Sequence, residues 1–442
     1  MGDKMKDTIL MIASGMKYPK KKYIVHSELN LYLNYGILGL GTILNDRGYT
    51  NVRMFQGDYK EIDELMKEIE QEDIYLEELK YPIFISIPSF FALEWAKEFI
   101  ECCREKNEKL KIVAGGRWVI DNNIDWVQKQ LPTVDTFIVG YGESAIEEAL
   151  TTDKKILVGN QAQPFKKLNY DILHNFRMYQ PVIEISRGCG RGCEFCLEKN
   201  FKVTKPKPPL EVINEIKGII KKYECNDLNF YFEASIFNPT EEWALEFLRL
   251  YNENKMSFKW RFETRVDTLK LEVVSMLAEG GLKVIDLGLE SASIKQLLSM
   301  KKTIKPEEYL NKAKMLVKEL HKYDVWPKVN VLLYPGEDES TIAETCSWLD
   351  DNREYIKGVS VNPFFLYLNG EYTGELINEI ERKSSLKIDY KKLFAQGYLS
   401  IALSKEISID KAKKIAKDIA DKYMSEDDYF DLKKVCYLRR SY

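Results

Sequence analysis

The sequence predicts an α/β protein made of two successive parallel-sheet domains and a helical tail. Three observations carry this. Short apolar runs alternate with amphipathic segments twice over, first from Thr8 to Leu150 and again from Val182 to Val361. A stretch without sustained periodicity, Gly159 to Gln180, separates the two series. From about Phe364 the alternation stops and Lys-, Asp- and Glu-rich helical stretches follow, such as Ile409 to Met424. The expected boundaries are a doubly wound, Rossmann-like domain over 1–158, a linker over 159–180, a partial (β/α)6 TIM-like barrel over 181–363 and a helical C-terminal region over 364–442. A chain of 442 residues has room for two or three domains.

In the first series the expected strands are Thr8 to Ala13, Val52 to Phe55, Ile83 to Ile87, Lys111 to Ala114 and Thr136 to Val139. Ligands of such sheets bind beyond the carboxyl ends of the strands, which directs attention to three turns. These are Pro88-Ser89, Gly115-Gly116 and Gly140-Tyr141-Gly142-Glu143. In the second series the strands are Val182 to Ser186, Asp227 to Phe232, Lys259 to Arg265, Val284 to Leu289, Lys328 to Leu333 and Gly358 to Val361. Leu310, Ala313, Val317 and Leu320 recur at helical spacing between the last-but-two and last-but-one of these. In a barrel of strand-helix units the loops converge at the carboxyl ends of the strands, so the site is expected there.

Composition narrows the function classes. The apolar share of 45%, the charged share of 30% and a net charge of -4 are those of an ordinary globular protein and argue against a nucleic-acid partner. The one compact basic run, Lys17 with Lys20, Lys21 and Lys22, reads as a solvated loop. No stretch reaches the roughly 18 apolar residues of a membrane span, and the charged start from Met1 to Asp7 has no signal-peptide core behind it, so a cytoplasmic location is expected. Eight cysteines are too few for a disulfide scaffold. Cys102, Cys103, Cys225, Cys346 and Cys436 read as buried small hydrophobes.

The other three cysteines carry the chemistry. Directly after the first barrel strand runs Ser186-Arg187-Gly188-Cys189-Gly190-Arg191-Gly192-Cys193-Glu194-Phe195-Cys196, a C-x3-C-x2-C motif. Three thiolates from one loop can each take one iron of a cubane, leaving the fourth iron open to a ligand. Glycines at 188, 190 and 192 let the backbone wrap tightly. A zinc site would need a fourth ligand, and the nearest candidates, Cys225 and His174, lie on other segments.

This stretch resembles the radical S-adenosylmethionine (SAM) superfamily, and the likeness covers nearly the whole barrel. Tyr231-Phe232-Glu233-Ala234-Ser235 looks like the family's acidic strand end, with Ala234 in place of a second acid. Arg265-Val266-Asp267, Gly288-Leu289-Glu290-Ser291 and Tyr334-Pro335-Gly336-Glu337 resemble its Arg-x-Asp, Gly-x-Glu-Ser and Pro-Gly-Glu signatures. The resemblance implies that Cys189, Cys193 and Cys196 hold a [4Fe-4S] cluster and that SAM chelates the open iron. It also implies reductive cleavage to methionine and a 5'-deoxyadenosyl radical, with the hard chemistry supplied by the cofactors. By the same implication Phe195 packs the adenine, Glu233 and Ser235 meet the methionyl amino group, Arg265 pairs with the SAM carboxylate, and Glu290 and Ser291 meet the ribose or orient Arg265.

The first domain resembles the cobalamin-binding domain that precedes many radical SAM enzymes. Tyr35-Gly36-Ile37-Leu38-Gly39-Leu40-Gly41, Val113-Ala114-Gly115-Gly116-Arg117 and Val139-Gly140-Tyr141-Gly142-Glu143 carry the likeness, with Ser89 at the third strand end. It implies cobalamin against Ser89, Gly115, Gly116, Gly140, Tyr141, Gly142 and Glu143. Two features depart from the pattern. No Asp-x-His-x-x-Gly is present, so a histidine below the cobalt is not expected, and His26 reads as a loop residue. Arg117-Trp118 replaces a Pro-His pair, so that Trp118 either floors a cobalamin or fills the space of one.

Three readings follow. The first is cobalamin-dependent radical C-methylation of an unactivated carbon. The second is a cobalamin-independent radical dehydration, epimerisation or rearrangement with the first domain as scaffold. The third is a non-catalytic iron-sulfur module, which would have no use for an open iron ringed by polar strand ends. The expected partners are a small-molecule or peptide substrate and a low-potential electron donor such as flavodoxin or ferredoxin. Tyr372, Tyr390, Tyr398, Tyr423, Tyr429 and Tyr437 in the tail read as packing residues.

Overall fold

A computed structural model describes residues 7–17, 30–160, 162–199, 201–368 and 371–440. Lys20, Lys21, Lys22 and His26 lie outside them. The chain forms two compact units, Met1–Tyr179 with Arg439–Tyr442, and Gln180–Leu438.

The first unit is a parallel sheet of six strands: β1 (Ile9–Ala13), β2 (Val52–Gln56), β3 (Ile83–Ser86), β4 (Ile112–Gly115), β5 (Thr136–Gly140) and β6 (Ile156–Gly159). Their order is β2-β1-β3-β4-β5-β6. The strand order reverses between β1 and β3, the position where doubly wound sheets of this order open a crevice. Helices α1 (Tyr35–Asp46), α2 (Ile62–Gln71), α3 (Leu93–Lys106) and α4 (Ile124–Gln130) make the crossovers. All five residues of β1 are buried, which is why its apolar run is continuous rather than alternating.

Two expectations for this unit need correction. The sixth strand was not foreseen: β6 is an edge strand of four residues in which buried Leu157 sits between exposed Ile156 and Val158, too short a pattern to stand out. The segment taken as a linker is not loose. Phe165, Leu168, Tyr170, Ile172, Leu173 and Tyr179 are buried, Leu173 bridges to Met54, and the Tyr179 hydroxyl donates to Asp58 Oδ2 at 2.6 Å. Apolar residues without a period mark a strap packed by its side chains rather than a regular element.

The second unit holds the barrel strands β7 (Val182–Glu184), β8 (Asn229–Glu233), β9 (Lys259–Arg265), β10 (Leu282–Glu290), β11 (Trp326–Leu333) and β12 (Gly358–Pro363). They pair in parallel and in strict sequence order, so the sheet is an open partial barrel. Between and after them run α5 (Pro209–Tyr223), α6 (Glu241–Glu253), α7 (Val274–Glu279), α8 (Ile294–Ser299), α9 (Pro306–Lys322) and α10 (Glu339–Asp351). Phe232 stacks on Trp260 with ring centroids 4.3 Å apart, and Phe247 and Trp243 continue this aromatic layer outward.

The tail is helical, as expected, with α11 (Glu371–Ser384), α12 (Tyr390–Gln396), α13 (Ile409–Tyr423) and α14 (Glu426–Lys434). It also contains a small antiparallel ribbon that the sequence reading did not include, β13 (Phe365–Tyr367) paired with β14 (Tyr398–Ser400). Of its tyrosines, Tyr423 donates to Asp350 at 2.8 Å and the Tyr437 ring lies 4.4 Å from the Arg261 guanidinium, whereas Tyr390 is exposed and the Tyr372 side chain lies outside those described. Of the cysteines outside the motif, Cys103 and Cys436 are buried while Cys102, Cys225 and Cys346 are half-buried.

Candidate functional site at the mouth of the barrel

The cysteine loop leaves the carboxyl end of β7 and is fixed at its root by a buried bidentate pair. Arg187 donates to both oxygens of Glu184 at 2.8 and 2.9 Å. Gly188 takes a φ of +74°, and a Cβ there would lie 2.2 Å from the Lys202 carbonyl oxygen. Only glycine meets both demands. The returning segment is tied along the loop by Cys189 N to Phe201 O at 3.1 Å and Thr204 N to Arg187 O at 2.8 Å. Among the described residues, no three His, Cys, Asp or Glu side chains converge as the ligands of one ion would. A cubane instead spreads its thiolates over three different irons.

Sulfur ligands of such a cluster are steadied by hydrogen-bond donors, and two are in place. Arg265 Nη1 donates to Cys193 Sγ at 3.1 Å, and the Glu198 amide to Cys196 Sγ at 3.4 Å. With a glycine-rich loop and three cysteines, the donor set fits a [4Fe-4S] cluster. The rest of the Arg265 guanidinium is committed to Asp267, at 2.8 and 3.0 Å, and to the Lys302 carbonyl at 2.6 Å. Its expected partnership with the SAM carboxylate therefore has one remaining N–H to draw on.

Around this core the structure gathers most of the sequence-named residues. Phe195 is half-buried, with its ring 6.3 Å from Tyr334 and the Lys302 ammonium 5.9 Å from its centroid. Glu290 ends β10 with a φ of +65° and accepts from Lys302 Nζ at 3.0 Å. A non-glycine residue in that region stores strain, a frequent mark of a functional strand end. Ser235 is exposed and donates to Glu198 at 2.9 Å. Glu233 is half-buried at the end of β8, where its carbonyl accepts from the Ile185 amide at 2.8 Å. Ser291 is not presented outward. It is buried, 3.2 Å from Thr345 Oγ1, and accepts from the Ser293 amide at 3.1 Å, which is the bonding of a loop brace.

Several participants were missed by sequence reasoning. Lys302 lies three residues beyond α8, where nothing in one sequence separates it from the neighbouring Lys301. Glu194 was legible as an acid inside the motif but was assigned no role. Its carboxylate meets Lys301 at 2.9 Å, the Tyr334 hydroxyl at 3.0 Å, and Lys383 of α11. Burial pushes its carboxyl up, but those partners outweigh it and hold it below the ordinary value.

In the first unit the expected cofactor turns are filled largely by their own chain. A Cβ on Gly116 would lie 2.7 Å from Ile87 backbone atoms, one on Gly140 2.5 Å from Gly159 O, and one on Gly142 2.7 Å from Leu40. A Cβ on Gly115 would stand 3.2 Å from Ile138 O. These glycines serve close packing of strand ends. Trp118 is buried edge-on to Phe90 at 5.7 Å, which is cavity filling. Tyr141, Glu143 and Ser89 are half-buried at the ends of β5 and β3. What the switch point does offer is Ser14, whose buried hydroxyl has no hydrogen-bond partner among the described residues. Nearby, Asn34 Nδ2 reaches Ser86 Oγ at 3.4 Å and the Asn34 amide donates to Gln56 at 2.6 Å. The histidine described in this unit, His174, stacks on Phe55 at 4.8 Å and faces Glu72.

Comparison with known proteins agrees with this geometry. Residues 183–349 match the family model described as the radical SAM superfamily. A curated relative, an uncharacterized methyltransferase of Pyrococcus horikoshii, is 26% identical over 135 residues, 30% of this chain and 29% of its own length. The match thus spans under a third of that protein. Among solved structures, the radical SAM methyltransferase TsrM from Kitasatospora setae, with tryptophan substrate and a SAM analog bound, has a TM-score of 0.64 at 15% identity, over 84% of this chain and 76% of its own. The cobalamin-dependent SAM radical enzyme OxsB, with aqua-cobalamin bound, gives 0.66 at 15% identity over 90% of this chain and 65% of its own. Both likenesses run through the doubly wound domain as well as the barrel, and at that identity they establish the shared fold. With its cysteine loop at the barrel mouth, the segment 183–349 is a radical SAM domain.

Proposed function

We propose that this enzyme transfers a methyl group to an unactivated carbon of a small-molecule or peptide substrate, with cobalamin held by its first unit, in a cytoplasmic setting. The observation that carries the radical step is the Cys189, Cys193 and Cys196 loop with the Arg265 donor at 3.1 Å from a ligand sulfur. Support for methylation comes from the fold held in common with TsrM and OxsB and from the methyltransferase relative. When bound, the [4Fe-4S] cluster and SAM supply a 5'-deoxyadenosyl radical for hydrogen abstraction, and cobalamin supplies the methyl group.

The chain's own residues do the rest. Cys189, Cys193 and Cys196 would ligate the cluster while Arg265, locked by Asp267, holds one sulfur in place. Phe195, backed by the buried Tyr334 ring, would offer an aromatic face to the adenine. Lys302 and Glu290, a pair with Lys302 buried, would orient the polar end of SAM by charge-assisted bonds. Ser14 and Ser89, at the switch point of the sheet, would offer hydroxyls to the corrinoid.

A second reading is favoured by one observation. The glycines of the β4 and β5 turns and Trp118 are occupied by internal packing, which suits a first unit acting as scaffold for a cobalamin-independent radical reaction. Anaerobic reconstitution separates the readings. Roughly four irons per chain and dithionite-dependent release of 5'-deoxyadenosine are expected, abolished in Cys189→Ala, Cys193→Ala or Cys196→Ala. Stoichiometric retention of a corrinoid band after incubation with hydroxocobalamin supports methylation, and no retention supports the scaffold reading. Fewer than about three irons per chain would refute both.

A further inference from the structure

We infer that Asn330 of β11 and Asn362 of β12 form a specificity-determining pair that binds the substrate through a neutral amide group in the lumen of the partial barrel. The inference rests on the reading above and names the chemical group that such an enzyme holds beside its radical.

Strand register puts both side chains on one face. Residues along a strand alternate between faces, and residues paired across parallel strands share a face. Phe232, Phe262, Ile285, Leu287, Val329 and Val359 make up one face, all buried, and Phe232 meets Phe247 of α6, so that face is the helix-covered outside. The other face lines the lumen. On it Arg265, Gly288, Asn330 and Ser360 stand level in register, and Asn362 follows Ser360 two residues on. Asn330 is half-buried and Asn362 exposed, so the lumen is open at their height.

The floor of the barrel aims Asn330. Lys328 Nζ donates to Asn330 Oδ1 at 3.2 Å and to Asp286 Oδ1 at 2.7 Å, and Arg261 Nε holds the second Asp286 oxygen at 3.1 Å. An ammonium has donors only, so the carboxamide oxygen must face Lys328 and the Nδ2 donors turn away from it. Among the described residues, neither Asn330 Nδ2 nor the Asn362 side chain has a hydrogen-bond partner.

The pair also stands next to the chemistry. Gly288 alone separates the Asn330 position from that of Arg265, the donor to Cys193. A Cβ on Gly288 would lie 2.9 Å from Glu290 Oε1 and 3.2 Å from Lys302 Nζ, so the space over it is taken by the two side chains assigned above to the polar end of SAM. A substrate on Asn330 would therefore lie beside SAM. Asn330 offers donors to a carbonyl oxygen, and Asn362 can accept from an adjoining N–H. By strand spacing and rise their Cα positions are roughly 8 Å apart, within reach of one amide. A carboxylate would meet Glu263, exposed on the same face, whereas an ammonium gives the Asn330 donors nothing to bind.

The test is saturation-transfer NMR on the full-length, reconstituted enzyme with SAM and no reductant, using N-methylacetamide, acetate and methylammonium as matched probes. N-methylacetamide should bind in preference to the two ions. Asn330→Leu and Asn362→Leu should each raise its apparent Kd ~3- to 10-fold, the worth of one hydrogen bond, with iron content and SAM affinity as in the native enzyme. Asn330→Asp, which replaces the donors with an acceptor, should lose the amide as well. Absence of a preference for the amide in the native enzyme overturns the proposal, as does native amide binding in both leucine variants. A weakened SAM affinity with unchanged amide binding overturns it too, by assigning Asn330 to the cofactor. Failure of the radical reading would show separately, as native protein that takes up no cluster.

Discussion

Arg265 and Cys193 stand 3.1 Å apart, guanidinium nitrogen to sulfur, although 72 residues separate them. The guanidinium is aimed by Asp267 and by the Lys302 carbonyl, with its flat face 5.7 Å from the Tyr309 ring. A donor on a ligand sulfur favours the reduced, more negative state of a cluster. Arg265→Gln should therefore lower the reduction potential, read by potentiometry with electron paramagnetic resonance on reconstituted protein. Asp267→Asn should act in the same direction by loosening Arg265, with activity reduced ~10- to 100-fold as is usual for outer-sphere partners. A potential unchanged in both variants would remove this role from Arg265.

Lys383 ties α11 to the cysteine loop through Glu194, and to the end of α8 through the Ser299 carbonyl at 2.7 Å. Both charged side chains are 8% exposed. Removing Lys383 takes away the buried member of the cations on Glu194 and leaves the carboxylate to exposed Lys301 and the Tyr334 hydroxyl. Lys383→Met should speed hydrogen exchange at the Glu194 amide, which is bonded to Met300 O at 3.0 Å, and lower cluster retention. Exchange as slow as in the native protein would show that α11 does not restrain the loop.

At the opposite end of the barrel, Arg261 from β9 and Lys328 from β11 grip Asp286, and Arg261 also donates to the Leu432 and Val435 carbonyls at 2.6 and 3.2 Å. Burial alone would raise the Asp286 carboxyl, but the two cations outweigh it and hold it far below its usual range. A depressed folded pKa means that this stabilisation is present above the unfolded value of about 4 and is lost as pH falls below it. Urea unfolding from pH 6 down to pH 3 should show stability declining, and Asp286→Asn should flatten that decline while costing about 3–5 kcal/mol at pH 7. An unaltered pH slope in the variant would assign the acid sensitivity elsewhere.

Glu337, at the start of α10, behaves in the opposite sense. It is 2% exposed, and burial pushes its carboxyl up to about 7 against the lowering bond from Thr341. With a raised folded pKa, its contribution is complete below the unfolded value near 4.5 and is lost as pH rises through about 7. The loss is on the order of 3 kcal/mol. Glu337→Gln should remove that slope, and thermal unfolding followed between pH 5 and pH 8 would display it. A native-like slope in the variant would show that Glu337 titrates normally.

Much of this was legible in sequence for physical reasons. Strands buried on both faces are continuous apolar runs, so β1 and β3 announced themselves, and helix α9 carried its stripe of Ala313, Val317 and Leu320. The four-residue edge strand β6 and the three-residue ribbon strands β13 and β14 did not, since a period needs length to be seen. The packed strap from 162 to 179 shows only as an aperiodic linker in the sequence, because its buried residues follow tertiary contact and no regular repeat.

At the site, local chain determined the three cysteines and their glycines, because one loop must supply all three ligands and its backbone must turn in left-handed conformations between them. Partnerships across the fold were decided only when the strands stood side by side. Nothing near position 193 announces Arg265, nothing near 194 announces Lys383, and the Gly-Gly and Gly-x-Gly turns of the first unit looked like ligand cradles until Ile87, Gly159 and Leu40 were found against them. A residue's type and spacing constrain what its own segment can do, whereas its hydrogen-bond and packing partners come from wherever the sheet brings another strand end within a few ångströms.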